Sequence, residues 1–148
     1  MEIRAFRAED EPAVVSLWER CRLIRRWNDP RKDISRKLKV RGDLFLVGIV
    51  FLVGIVDGQI VATVMAGYEG HRGWVSYLAV APEHQRAGLA RQMMSEVEDR
   101  LRASGCPKIN LQIRAYNAAA VGFYRAIGYT QDNVVSMGKR LEDDERDA

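Results

Sequence analysis

Residues 44–56 form an unbroken apolar run, LFLVGIVFLVGIV, and the pair Asp57-Gly58 follows it directly. Aspartate followed by glycine tolerates positive φ at both positions, the geometry of a two-residue hairpin turn whose twist matches its flanking strands. The return segment, Gln59–Tyr68, sets Ile60, Ala62, Val64 and Ala66 on one face. A long antiparallel hairpin is therefore the centre around which the rest of the chain must pack. The run is also a tandem repeat, since Phe45–Val50 and Phe51–Val56 both read FLVGIV. Strand side chains alternate with period two, so a six-residue insertion keeps every residue on its face. The strand can absorb the extra copy by extending, bulging or looping out. Two copies are too few for a solenoid. At thirteen residues the run is shorter than the ~20 a membrane-spanning helix needs.

The segments on either side of the hairpin read as alternating elements. Glu2–Arg7 is predicted as a first strand with Ile3 and Phe6 as its apolar content. Val14, Leu17, Trp18 and Cys21 then recur at helical spacing behind Pro12. Asp29-Pro30 reads as an N-cap and first helical residue, opening a helix with Ile34 and Leu38 inward. Trp74–Val80 is a further strand, and Leu89, Met93, Val97 and Leu101 mark a long helix that Ser104-Gly105 ends. Ile109, Leu111 and Ile113 alternate with Asn110, Gln112 and Arg114, predicting a strand with one polar face. Asn117–Ile127 is a last helix, closed by Gly128, and Val134–Arg140 a final weak strand. The order β-α-α-β-β-β-α-β-α-β implies an α/β (α+β) fold, a mixed sheet covered by helices. A chain of 148 residues reads as one domain spanning 1–148.

Charge is distributed unevenly. Ten Lys and Arg lie between Arg20 and Arg41, against only Asp29 and Asp33, whereas 141–148 carries five acids and one base. The basic stretch reads as a solvated helix face and the acidic end as an unordered tail. A basic segment without interleaved aromatics argues against nucleic acid as a partner. Cys21 and Cys106 form neither a metal spacing nor a disulfide framework, so no metal is expected and a reducing cytoplasm is the expected location. The start, Met-Glu-Ile-Arg, lacks the apolar stretch of a signal peptide, and no membrane association is expected.

The chemistry is concentrated in Leu78–Arg91, LAVAPEHQRAGLAR, which runs from a strand through a short loop into a helix start. Gly88 and Ala90 leave little side chain there, so the amides from Arg86 to Arg91 stay reachable. A helix N-terminus with free amides suits a pyrophosphate, and Arg86 and Arg91 add positive charge beside it. Gln85-Arg86-Ala87-Gly88-Leu89-Ala90 resembles the Q/R-x-x-G-x-G/A signature of the GNAT N-acetyltransferases. About thirty residues further on, Asn117–Tyr129 (NAAAVGFYRAIGY) is similar to that family's N-x-x-A-x-x-F/L-Y-x-x-x-G-F/Y helix. LWERC, WNDP and Asp33 in the first forty residues further resemble the bacterial YpeA type of the family.

The resemblance implies a GNAT fold of six to seven mostly antiparallel strands and about four helices, with two strands splayed around acetyl-CoA. The implied cofactor contacts are the backbone of Leu78, Ala79 and Val80, the loop residues Arg86, Ala87, Gly88, Leu89, Ala90 and Arg91, and Asn117. The implied activity is direct attack of a primary amine, on a small molecule or peptide, upon the thioester in a ternary complex. Tyr124 is implied as the general acid for the leaving thiolate; a phenol with pKa about 10 can donate within hydrogen-bond reach. Some relatives carry a glutamate base on the Ile109–Arg114 strand. Here that position is Gln112, which takes no proton. Glu69 is the remaining candidate base, ahead of His71, His84 and Glu83. A CoA-binding or regulatory module with weak catalysis is the alternative. The basic segment would line the acceptor side, which suggests an acceptor near negative charge, met by Arg25 and Arg26 beside Trp27. A homodimer is left open.

Overall fold

The computed structural model describes the backbone of residues 1–39 and 47–144, and the side chains of these except 47–49. Five strands form one mixed sheet in the order β1-β2-β3-β4-β5. They are β1 (Glu2–Ala5), β2 (Val47–Val56), β3 (Gln59–Tyr68), β4 (Gly73–Val80) and β5 (Ile109–Leu111). The helices are α1 (Glu11–Arg20), α2 (Pro30–Lys39), α3 (Leu89–Ala103) and α4 (Ala118–Ala126). β1 to β4 pair antiparallel, whereas β5 lies parallel to β4.

The hairpin forms around Asp57 and Gly58, with φ of 49° and 75°. The second FLVGIV copy supplies the core: Phe51 and Leu52 are buried and Val53 is fully so. Part of the first copy extends β2, and the register shifts between Val47 and Val50. The repeat is thus accommodated by extension with a bulge; Phe45 and Leu46 lie outside the described residues. β3 is buried on both faces from Val61 to Ala66. It packs under α1 through Trp18, and against α3, where Met93, Met94, Val97 and Leu101 are fully buried.

Four expectations are corrected. The described residues hold five strands, not six to seven: Val134, Val135 and Met137 are 74–90% exposed, and no ladder forms between Gln112 and Asp144. β5 stops at Leu111 because its pairing with β4 ends at Val75↔Leu111, leaving Ile113 outside the sheet. Leu38 is 57% exposed, since at that end of α2 it is Lys37 that reaches β3, donating to the Ala66 carbonyl at 2.5 Å. The acidic end likewise departs from an unordered tail. Asp144 is buried and takes both guanidinium nitrogens of Arg36, at 2.7 and 2.8 Å. Residues 145–148 lie outside the described residues.

Candidate active site

The site grows from a mismatch at the β4 edge. Three residues, Gly73 to Val75, pair with β5, and among the described residues the edge from Ser76 to Val80 has no strand on that side. The two parallel strands share only those three pairs because β5 has three residues and β4 eight. The free edge runs directly into the loop that starts α3. Gly88 has φ +79° and a Cβ there would meet nothing within 4 Å, so glycine is needed for the left-handed turn and not for close packing. Arg86 shares that conformation at φ 64°, which costs a non-glycine residue about 1 kcal/mol. The loop residues Arg86, Ala87, Gly88 and Arg91 are exposed, Ala90 is half-buried, and Leu89 anchors the helix in the core. The Val80 carbonyl accepts from Gln85 Nε2 at 3.1 Å and from Cys21 Sγ at 3.2 Å, which locks the strand end to α1 and the loop.

α4 meets this region at one end. Arg91 donates to the Ala126 carbonyl at 3.4 Å, so the start of α3 and the end of α4, with Tyr124 one half-turn earlier, come together. Tyr124 packs edge-on against Phe123 and Tyr129, with ring centroids 5.0 and 5.5 Å away. Burial pushes its phenol up to about 12. It also lines an open groove of about 1330 Å³ between β5, α4 and residues 130–137, together with Trp74 and Arg114. Asn117 sits at the other end of α4 as its N-cap, its Oδ1 accepting from the Ala120 amide at 3.1 Å.

Glu69 is not brought to this cluster. Its carboxylate caps the turn after β3, accepting from the amides of His71, at 3.0 Å, and Arg72. It lies beyond the first residue of β4, whereas the α3 loop follows the last. Eight residues of strand between them span roughly 23 Å. His71 shares the same exposed turn. Glu83 pairs with Arg20 at 2.6 Å; a hydrogen bond from its own backbone amide and this guanidinium hold its carboxyl below the usual range, which weakens it as a base. His84 lies in the one-turn helix Pro82–His84 before the loop. Gln112 donates to the Ser136 hydroxyl and ties the segment after β5 to the C-terminal stretch.

Sequence reading missed a polar cluster beneath the bulge of β4. Tyr77 has φ +52°, its ring stacks on Trp18 at 3.9 Å, and its hydroxyl donates to Asp33 Oδ2 at 2.5 Å. The one available signal was Thr63, a lone hydroxyl in the middle of a strand whose neighbours are all apolar. The basic segment is also not a free cationic face. Arg20 pairs with Glu83, Arg31 with Glu11, and both Lys32 and Arg36 with Glu142 and Asp144. Arg25 donates to the Arg22 carbonyl and to Tyr116 Oη, and Arg114 lies over the Trp27 ring at 5.4 Å. The acidic end and the basic helices, separate features in sequence, are partners in space.

The model of the acetyltransferase (GNAT) family matches residues 11–129. An acetyltransferase of Pectobacterium atrosepticum is 48% identical over 144 residues, covering 97% of this chain and 98% of that protein. Among solved structures, the ribosomal-protein-S18-alanine N-acetyltransferase of Escherichia coli superposes with a TM-score of 0.73 at 22% identity, covering 89% of this chain and 79% of that one. An aminoglycoside N-acetyltransferase solved in complex with CoA superposes at 0.72 with 16% identity, covering 95% and 100%. The chain belongs to the GNAT acetyltransferase family, and it is an acyl-transferring enzyme.

Proposed function

We propose that this enzyme moves the acetyl group of acetyl-CoA to a primary amine, by direct attack in a ternary complex. The observation that carries the reading is the β4 edge from Ser76 to Val80, which carries no strand among the described residues and runs into the exposed loop that starts α3. An extended pantetheine arm can pair with such an edge as an added strand. The pyrophosphate would meet the amides of Arg86–Arg91 and the side chains of Arg86 and Arg91. The bound thioester supplies the activated acetyl group. Asn117 uses one lone pair of Oδ1 in capping, which leaves its amide nitrogen free to donate to the pantetheine. LWERC and WNDP support assignment to the YpeA type within the family.

Tyr124 is the proposed donor to the leaving sulfur. A phenol pushed up to about 12 stays protonated at neutral pH. Against a thiol of pKa about 8.5, full proton transfer from it runs uphill by several units, so Tyr124 acts mainly as a hydrogen-bond donor to the developing thiolate. An amide of the free β4 edge is suited to the developing negative charge on the carbonyl oxygen. Glu69, occupied by its turn, is a poor base, and deprotonation of the amine by water fits the site better.

The test is ligand-dependent stability followed by turnover. Acetyl-CoA at a hundred times its dissociation constant adds about 2.7 kcal/mol by mass action. For a chain of this size that raises the melting temperature by roughly 5–10 °C. Thiol release is then measured against peptide N-termini, lysine, polyamines and amino acids. Absence of any thermal shift removes the cofactor assignment, and a shift without thiol release supports the regulatory-module alternative.

A further inference from the structure

β4 changes register just where it leaves β5. Ser76 opposes Met65 and Ala79 opposes Thr63, so Tyr77 and Leu78 together face the single residue Val64. The bulge puts an aromatic residue at φ +52°, a conformation that L side chains disfavour. An edge strand with no partner on its outer side has an easy escape: it can slip into regular register, which would carry each following side chain and amide to the opposite side.

Side chains from three other elements block that escape. Trp18 of α1 stacks on the Tyr77 ring at 3.9 Å and donates its indole N–H to Thr63 Oγ1 at 2.8 Å. Thr63 of β3, with no exposed surface, donates its hydroxyl to the Tyr77 carbonyl at 2.9 Å. Asp33 of α2 accepts the Tyr77 hydroxyl at 2.5 Å. Asp33 is itself steadied by Arg36 at 3.3 Å, and Arg36 by the buried Asp144. Both ends of Tyr77, carbonyl and phenol, are thus hydrogen-bonded, and its ring face is covered.

We propose that Tyr77 is a positioning residue of the acetyl-transfer reaction, clamped by Trp18, Thr63 and Asp33 so that the free Ser76–Val80 edge keeps one geometry. The proposal rests on the reading given under Proposed function, in which that edge receives the thioester. Misplacement of a reacting group by about 1 Å costs on the order of a hundredfold in rate, so a mobile edge would bind the cofactor and transfer poorly.

Tyr77→Phe deletes one hydroxyl, Asp33→Ala deletes its acceptor, and Asp33→Asn keeps an acceptor oxygen. Turnover at saturating acetyl-CoA and amine is expected to fall about ten- to a hundredfold in Tyr77→Phe and Asp33→Ala. Calorimetric affinity for CoA should stay within about threefold in all three, and Asp33→Asn should restore turnover to within about threefold of the parent. A purely structural clamp would lower the melting temperature and leave turnover of the folded protein unchanged. That result, or an Asp33→Asn variant as slow as Asp33→Ala, overturns the proposal. Should Asp33→Ala fail to fold, Tyr77→Phe carries the same test. Amide hydrogen exchange over residues 76–80 gives a readout independent of turnover, expected to be faster in Tyr77→Phe. Unchanged exchange also overturns the clamp. A parent that binds CoA but acetylates no amine counts against the acetyl-transfer reading instead, and the exchange result then still decides whether Tyr77 holds the edge.

Discussion

The two flanks of the sheet are held by different forces. On one side, β2, β3, α1 and α3 meet through side chains with no exposed surface, among them Val14, Trp18, Val53, Val64, Met93, Val97 and Leu101. On the other side, α4 buries no residue fully, and Val134, Val135, Met137 and Leu141 are 74–92% exposed. That flank is fastened by partly buried Phe123, Tyr124 and Ile127 and by polar contacts: Lys108 and Asn110 to Asp132, Arg91 to Ala126, Arg140 to Asn28, and Arg36 to Asp144. Apolar burial stabilises by about 25 cal/mol per Å², whereas exposed ion pairs contribute about 0–1 kcal/mol each. The C-terminal flank is therefore the side that opens locally at low cost. The free β4 edge lies on the boundary, so one wall of the proposed cleft is rigid and the other adjustable.

The largest effect is expected where the adjustable wall carries chemistry. Tyr124→Phe should slow acetyl transfer about ten- to ten-thousandfold while CoA affinity in calorimetry stays near the parent value. Unchanged turnover, under conditions where chemistry limits the rate, removes Tyr124 from the mechanism and leaves the α4 flank structural. Next comes the contrast in stability. Leu101→Ala, in the rigid flank, should cost about 2–5 kcal/mol in urea unfolding, and Val135→Ala no more than about 0.5 kcal/mol. Comparable losses at both positions would erase the distinction between the flanks.

Arg86→Gly sharpens the boundary itself. It removes a charge from the proposed phosphate loop, for an expected loss of about fivefold in CoA affinity, less at high salt. Relief of the left-handed conformation offsets the added freedom of glycine in the unfolded chain, so the melting temperature should hardly move. An affinity unaffected by the change, at low and high salt alike, would argue against that loop as the pyrophosphate site.

The smallest effect concerns the polar fastening of α2. The guanidinium of Arg36 holds the Asp144 carboxyl well below the usual carboxylate range. A carboxylate whose folded pKa is depressed contributes stability that is fully present above its unfolded pKa, about 4, and lost as pH falls through the folded value. Asp144→Asn should therefore lower the melting temperature slightly at neutral pH, with the gap to the parent closing below about pH 4. A gap that persists into acid would mean that packing, not charge, fixes the C-terminal stretch.

Much of this was legible in the chain. An unbroken apolar run, strand alternation, helical spacing and the turn residues between them located β2 to β4 and α1 to α4 within a few residues. Asp29 caps α2 as its position suggests, accepting from the amides of Arg31 and Lys32 at 2.9 and 3.2 Å. The strand over Val134–Arg140 failed because two adjacent valines and a methionine carry β propensity without a face to bury. Glu69, the candidate base of the sequence, is taken up by its own turn, where its carboxylate accepts from the amides of His71 and Arg72.

The sequence by itself determined the hairpin, the glycine turn at Gly88 and the two motifs on α3 and α4. Each depends on neighbours within a few residues and on φ angles that only certain side chains permit. Tertiary structure alone decided that β5 ends after three residues and frees the β4 edge. It also decided that Thr63, Trp18 and Asp33 meet at Tyr77, and that the acidic end folds back onto the basic helices. Those contacts join residues 14 to 108 positions apart. Hydrogen bonds and ion pairs at such separation leave no period in the chain, since they are specified only once the sheet has brought their partners within about 3 Å.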